Sequence, residues 1–497
     1  MRIVMMGAGY VGLVSCACLA DFGNVCVEVD ADKVASLREA RVPIYEPGAR
    51  GEGQCFNAAP LGQTQCRRMR AAWRGDSSRC FARSLMPPCH SRSCVIVVEN
   101  LPVPFDRRVW QEAQALNRAG WRVSVICPAT EDFPAKFEVI DDIAVYRHSL
   151  PFEARGVAPH FLEYAAALFH EFRLLLKVHR ERGFSIIQAC NPPDLIFLAA
   201  APFKLLGKRF LFDQHDVGPE LFVAKYGNKS LLYRALLFFE RRSYAMADVV
   251  ITANATFKDI SVRRGGKSPE AVEVVYSVPD RKLIHRVEPE PGLSGGRRFV
   301  LGYIGVINEQ DGVDHLVRAV AELATVKGFR DFRAVVVGFG PALEAVKALA
   351  RSLCVEDLLF FTGYLSGERL LAHISAFDIG VIPDPFNEAN DVMSMNKVFE
   401  YCALGIPTAC YPLTETKRLL GEAAVYAPTL DPAGLANACL RLMQDEPLRA
   451  RSAAAASRLS AETFVWENEA RKFVETFERA LATMSDNRAR RAGPHAV

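Results

Sequence analysis

An α/β fold is predicted, with two Rossmann-like, doubly wound parallel-sheet halves facing a cleft and a separate N-terminal βαβ fragment. Three features predict it. From residue 94 onward, strand-like apolar runs alternate with helical periods. The alternation halts at a Pro/Gly-rich stretch, EPEPGLSGG (288–296), and then begins again. At the start of the chain a glycine-rich turn, Gly7-Ala8-Gly9-Tyr10-Val11-Gly12, sits between a strand and a helix.

Length and composition agree with this. A chain of 497 residues suits two or three domains, and 50% hydrophobic with 24% charged residues is globular composition. A net charge of +3 gives no reason to invoke nucleic acid. No apolar run reaches the roughly 18–20 residues that span a bilayer. The start, MRIVMMGAGYVGLV, reads as strand-turn-helix rather than as a signal peptide, so a cytoplasmic location is expected. Eight of the 14 cysteines fall in the first 94 residues, without a C-x-x-C pair or a zinc-type repeat. The other six lie scattered, mostly in apolar stretches, where Cys acts as a small hydrophobe. No metal site is expected.

Taken in order, residues 3–6 form a strand, and a second strand ends at Asp30. Gly7, Gly9 and Gly12 allow a tight turn and close approach of a pyrophosphate, and Asp30 is placed to reach a ribose. This fragment occupies 1–48. Residues 49–93 hold eight Arg and no Lys and sustain neither a helical nor an alternating period, as expected of an irregular junction. One βαβ unit cannot bury a core alone, so poor order is expected there.

The first half is expected over 94–285. Its strands are 94–100, 121–128, a short one at 140–148, 184–191, 208–216 and 247–254, with helices at 107–120, 161–183 and 231–247. A linker at 286–298 follows. The second half, 299–484, has strands at 299–305, 332–338, 358–363, 377–383, 406–411 and 423–428. A helix at 313–328 follows its first strand, and a last helix at about 461–484 precedes a basic tail, 485–497.

The segment NEANDVMSMNKVFEYCALGIPTACYP (387–412) carries the strongest chemistry. Asn396, Lys397 and Glu400 share one face at a helix start, and Gly405-Ile406-Pro407 ends that helix. An amide, an ammonium and a carboxylate beside free helix N–H groups suit a sugar nucleotide: Lys397 and the helix end for the diphosphate, Glu400 for paired ribose hydroxyls. A surface helix with an ordinary Lys and Glu is the plain alternative.

Two resemblances follow from these residues. Residues 1–48, with the glycine fingerprint and Pro43-Ile44-Tyr45-Glu46-Pro47-Gly48, resemble the start of a UDP-glucose 6-dehydrogenase. The likeness then stops, as at a gene fusion or frameshift junction, so no NAD binding and no dehydrogenase activity are expected. Residues 94–480 resemble a family-4 (group 1) retaining glycosyltransferase of the GT-B fold. The resemblance is carried by FDRRVWQEAQAL, NPPDL (191–195), DQHDVGPE (213–220), ADVVITAN, GYIGVINEQDGVD (302–314), VVGFGP (336–341) and MNKVFEYCALGIP (395–407).

The GT-B resemblance implies a nucleotide-sugar donor, UDP- or GDP-linked, with no further cofactor. Glu400 matches the second glutamate of the family's E-x7-E motif. The first is absent, because Val392 stands eight residues earlier, and Asp391 beside it is expected near the donor sugar. Gly305, Gln310, Asp311, Gly338, Gly340, Asn396, Lys397 and Glu415 are the other expected donor contacts. NEQDG lacks the basic pair of many relatives, which leaves more of the charge to Lys397. His215, near the reacting centre, Asp216 and Asp391 are the expected catalytic residues, with Asp216 and Glu220 as acceptor-side or positioning groups and Arg107 and Arg108 beside an anionic acceptor or at a solvated helix start. The resemblance implies front-face transfer with retention, in surface polysaccharide, exopolysaccharide or O-antigen assembly, to a lipid-linked or oligosaccharide acceptor. The aromatic and basic stretches 162–183 and 231–242 suggest peripheral contact with the inner face of the cell membrane, or core-facing helices with basic edges. Two other readings stay open: a GT-B sugar-nucleotide 2-epimerase, and a non-functional fusion product.

Overall fold

The computed structural model describes residues 92–149, 157–227 and 229–491. The fingerprint residues Gly7, Gly9, Gly12 and Asp30, the junction before residue 92 and the end of the tail lie outside the described residues.

The first sheet is assembled from β1 (Ser93–Val97), α1 (Arg107–Arg118), β2 (Arg122–Ala129), β3 (Phe137–Ile140), β4 (Ile143–Ser149), α2 (Val157–Glu181), β5 (Ile186–Cys190), α3 (Phe197–Leu205), β6 (Arg209–Gln214), α4 (Gly218–Tyr226), α5 (Leu231–Met246), β7 (Val249–Thr252), α6 (Ala255–Arg263) and β8 (Val272–Val274). The strand order is β3-β4-β2-β1-β5-β6-β7-β8. All neighbours are parallel except β3, which runs antiparallel to β4 at the edge. Helices cover both faces, so β1 and β5 are buried at every residue and read as mainly apolar runs, broken by Ser93 and Gln188. The stretch 140–148, expected as one strand, instead contains a turn. Asp141 and Asp142 adopt φ of 49° and 64°, a region short polar side chains tolerate, and reverse the chain between β3 and β4.

The second sheet comprises β9 (Phe299–Ile304), α7 (Val313–Ala321), β10 (Phe332–Val337), α8 (Leu343–Ser352), β11 (Leu359–Gly363), α9 (Gly367–Ser375), β12 (Ile379–Ile382), α10 (Asn396–Ala403), β13 (Thr408–Cys410), α11 (Thr414–Leu420), β14 (Ala424–Tyr426), α12 (Pro432–Gln444) and α13 (Glu446–Arg458). Its order is β11-β10-β9-β12-β13-β14, with every pair parallel.

The last helix, α14 (Trp466–Arg491), departs from the expected second half of 299–484. Its Phe473, Phe477 and Ala480 join the core beside α1 on the first sheet. Trp121 meets Phe477 edge-on at 5.5 Å and donates to Glu478 at 3.0 Å. Burying these aromatics draws the helix back across the molecule.

Candidate functional site

The C-terminal ends of both sheets open on one cavity of about 520 Å³. The first half contributes Arg107, Arg108, His215 and Asp216, and the second half contributes Met395, Asn396 and Glu400. Helix α10 starts at this cavity, and its N-cap, Met395, gives no side-chain cap. Its first N–H groups are therefore left without one.

Glu400 faces the cavity as expected, but it is engaged: Arg107 Nη1 donates to its Oε1 at 2.8 Å across the cleft. Lys397 differs from expectation. Its ammonium is buried, held by both oxygens of Asp384 at 3.0 and 2.7 Å, and lies 4.8 Å from the Tyr303 ring centroid. Asp384 is fully buried, and burial raises its carboxyl despite Lys397. The lysine expected on the diphosphate is thus neutralised within the protein.

Several other expected donor contacts have structural partners instead. Asp391 does not line the cavity; its carboxylate accepts from Thr414 N at 2.8 Å and Thr414 Oγ1 at 2.9 Å, capping α11. Glu415 is buried at the seam between the halves, bonded to Thr256 Oγ1. Asp311 accepts from Asn308 N at 2.9 Å, and the Gln310 carbonyl accepts from Asn390 at 3.0 Å. Gly338 and Gly340 are needed because two loops pack backbone on backbone. A Cβ on Gly338 would lie 1.8 Å from the Gly305 carbonyl, and one on Gly340 2.3 Å from that of Ile307. The space left by their missing side chains is filled by protein. Glu220, expected as a positioning group, is taken up by Arg264 at 3.1 Å and by a second, shorter bond to the same guanidinium.

His215 projects into the cavity from a buried network that the sequence did not reveal. Its Nε2 lies 2.9 Å from Asp213 Oδ2 and 3.1 Å from Arg108 Nε. Arg108 also donates to Asp213 Oδ1 at 2.9 Å, Ser277 at 2.9 Å and the Val275 carbonyl at 2.7 Å, and pairs with Glu112 at 3.1 Å. Gln188 Nε2 bridges Glu112 and Asp213 at 2.7 and 2.8 Å. Burial alone would raise Asp213, but Arg108 and His215 hold it well below the usual carboxylate range. Burial works to lower His215, yet Asp213 raises it. Burial, with Asp213 beside it, pushes Glu112 up to about 8. Asn191 fixes the His215 loop: its Oδ1 accepts from the N–H groups of His215 at 2.7 Å and Asp216 at 3.2 Å, and its Nδ2 donates to the Asp216 carbonyl at 2.9 Å. Among the described residues, Cys190, Asp213 and His215 bring potential metal-ligand atoms together. A cation there would meet the Arg108 guanidinium, already bonded to two of the three.

Residues 106–277 match the glycosyl transferase 4-like domain, and residues 298–445 match the glycosyl transferases group 1 domain. Residues 1–55 match the NAD binding domain of the UDP-glucose/GDP-mannose dehydrogenase family. UDP-glucose 6-dehydrogenase of Rhizobium meliloti is 56% identical over 50 residues, 10% of this chain and 11% of that protein. Alpha-D-kanosaminyltransferase of Streptomyces kanamyceticus is 29% identical over 166 residues, 33% of this chain and 41% of that protein. The chain therefore spans less than half the length of either relative. Among solved structures, sucrose-phosphate synthase from Thermosynechococcus elongatus is similar with a TM-score of 0.65 at 17% identity, over 79% of this chain and 99% of that one. Anabaena HepE in complex with UDP-glucose gives 0.58 at 16% identity, over 78% and 99%. These likenesses show the GT-B fold. With both domains matched in order upon that fold, residues from about 94 to 480 belong to the group 1 (family 4) glycosyltransferases and are preceded by the start of a UDP-glucose 6-dehydrogenase-like NAD-binding domain.

Proposed function

We propose that this chain moves a sugar from a UDP- or GDP-sugar to an acceptor hydroxyl with retention, in surface polysaccharide, exopolysaccharide or O-antigen assembly. The observation that supports this best is Glu400. It is a carboxylate one turn into a helix without an N-cap side chain, opening on the cavity that also receives His215 and Asp216 from the opposite sheet. The HepE neighbour was solved with UDP-glucose, which favours this donor class.

In this reading Glu400 accepts the two ribose hydroxyls, and the start of α10 with Asn396 receives the diphosphate. His215, held by Asp213, donates toward the sugar or its leaving oxygen. The acceptor oxygen bonds to C1 on the face the diphosphate leaves. The C1–O electron pair stays on the β-phosphate oxygen, which takes the acceptor's proton. Lys397 acts through Asp384 to hold the helix start rather than as a free charge.

Titration of UDP-, GDP- and ADP-sugars into the full chain tests the donor assignment. Glu400→Gln is expected to weaken the preferred nucleotide by about 10–100-fold, the value of a charge-assisted pair. Unchanged affinity would remove Glu400 from the site. The anomeric configuration of the product reports retention, and product from UDP-N-acetylglucosamine without acceptor would instead indicate the epimerase. NAD is expected not to bind.

We place a lipid-linked or oligosaccharide acceptor at the first half, with the enzyme in the cytoplasm and touching the inner membrane face. No described helix is long and apolar enough to cross a membrane. Phe169 on α2 and Phe238 on α5 are 59% and 51% exposed, each beside an arginine, and Leu205 at the end of α3 is 91% exposed. Co-sedimentation with anionic phospholipid vesicles is expected, and is expected to be lost in Leu205→Glu/Phe238→Glu. Equal recovery of both proteins in the supernatant would rule the contact out.

A further inference from the structure

We infer that Arg107 is the cation the first half delivers to the donor's diphosphate, and that its bond to Glu400 is its donor-free position. This rests on the reading of Glu400 as the ribose ligand.

The inference starts from a shortage of positive charge. A nucleotide diphosphate sugar carries two negative charges, and a third develops on the β-phosphate oxygen as the C1–O bond breaks, until the acceptor proton arrives. The second half offers little to meet it. No Lys or Arg stands between Gly305 and Gly312. Lys397 is bound by both oxygens of a buried Asp384, so the pair is neutral as a unit. In the first half, Arg108 is consumed by Asp213, Glu112, Ser277 and the Val275 carbonyl. Arg107 remains. Its side chain is 29% exposed, lines the cavity, and holds Glu400 alone.

That bond competes with bidentate ribose binding, because Arg107 already lies on Oε1 of Glu400, the side from which a ribose hydroxyl would approach. An arriving ribose displaces the guanidinium. The displaced group stays within reach of the diphosphate. A helix rises about 1.5 Å per residue, so the α10 start at Asn396 is roughly 6 Å from Glu400 along the axis, inside the swing of an arginine side chain. The planar fork of a guanidinium matches two phosphate oxygens. Glu400 thus exchanges a guanidinium for hydroxyls, and Arg107 exchanges a carboxylate for phosphate. Neither charge is left without a hydrogen-bond partner at the end. A nucleoside without phosphates completes only the first half of the exchange.

Calorimetric titration of the full chain with the preferred nucleoside diphosphate and with its parent nucleoside, alongside turnover, separates the possibilities. Arg107→Gln is expected to weaken the diphosphate by about 10–100-fold and lower kcat, while nucleoside affinity stays equal or tightens. Arg107→Lys is expected to recover part of both losses. If Arg107→Gln tightens diphosphate and nucleoside by the same factor with kcat unchanged, Arg107 is only a plug and the inference is overturned. Unchanged binding of both ligands overturns it as well. If the unaltered protein binds no UDP, GDP or nucleoside, the nucleotide reading itself fails and takes this inference with it.

Discussion

Arg108→Met is expected to destabilise the protein by about 3–5 kcal/mol, the range for removing one partner of a buried ion pair. The side chain is 9% exposed, and the groups it serves, the Asp213 carboxylate and the Glu112 carboxyl, are fully buried. Methionine fills much of the volume but leaves Asp213 facing Glu112 with only His215 and Gln188 to compensate. Denaturant unfolding monitored by tryptophan fluorescence measures the loss. A change under 1 kcal/mol would mean that water reaches the network.

The same network sets a pH dependence. Glu112 keeps its proton in the folded chain to about pH 8, against 4.5 for the ordinary group. The folded state therefore binds the extra proton between those values, and stability falls as pH rises through that window. Glu112→Gln is expected to flatten this slope. Asp213 works in the opposite sense. Its carboxyl is depressed, so its contribution is present above the ordinary value of 3.8 and is lost as pH falls below it.

Lys397→Met is the second large effect, again about 3–5 kcal/mol, because it strands Asp384 in the core. Asp384→Leu combined with Lys397→Met is expected to restore most of the stability, since a buried pair replaced on both sides is often neutral. The double variant also reads the role of Lys397 in turnover. In the reading proposed here, kcat falls less on restoring the fold this way than in Arg107→Gln. Loss of all turnover in a stable double variant would return Lys397 to direct contact with the diphosphate.

The positions of most strands along the chain were legible because buried parallel strands have a simple signature. VIVV, VVVG and IGVI are apolar on both faces and lead into glycine or polar loops. Short helices such as α4, α6 and α11 were not singled out, since seven to nine residues give barely two turns of period. At the site, the sequence pointed to His215, Asn396 and Glu400, which face one cavity. It could not show what Asp391 and Glu415 touch, because a carboxylate close to a motif is indistinguishable from one within it. Their bonds to Thr414 and Thr256 depend on contacts made only in the fold. It passed over Asp213 and Glu112 for the same reason. Their partner Arg108 lies 105 residues from Asp213. Only the side-by-side placement of β1, β5 and β6 brings these charges together.

The return of α14 to the first sheet has a mechanical consequence. The chain passes between the halves twice, once after β8 and again within α14, between Trp466, which packs with the second half, and Phe473, which packs on the first. A panel hung at two separated points swings about one line and resists twisting. Opening about that line would widen the cleft while its two walls kept their register. Arg107 and Glu400, 293 residues apart, would return opposite each other on closing. A single cut in the first connection would leave the two panels still joined by the second.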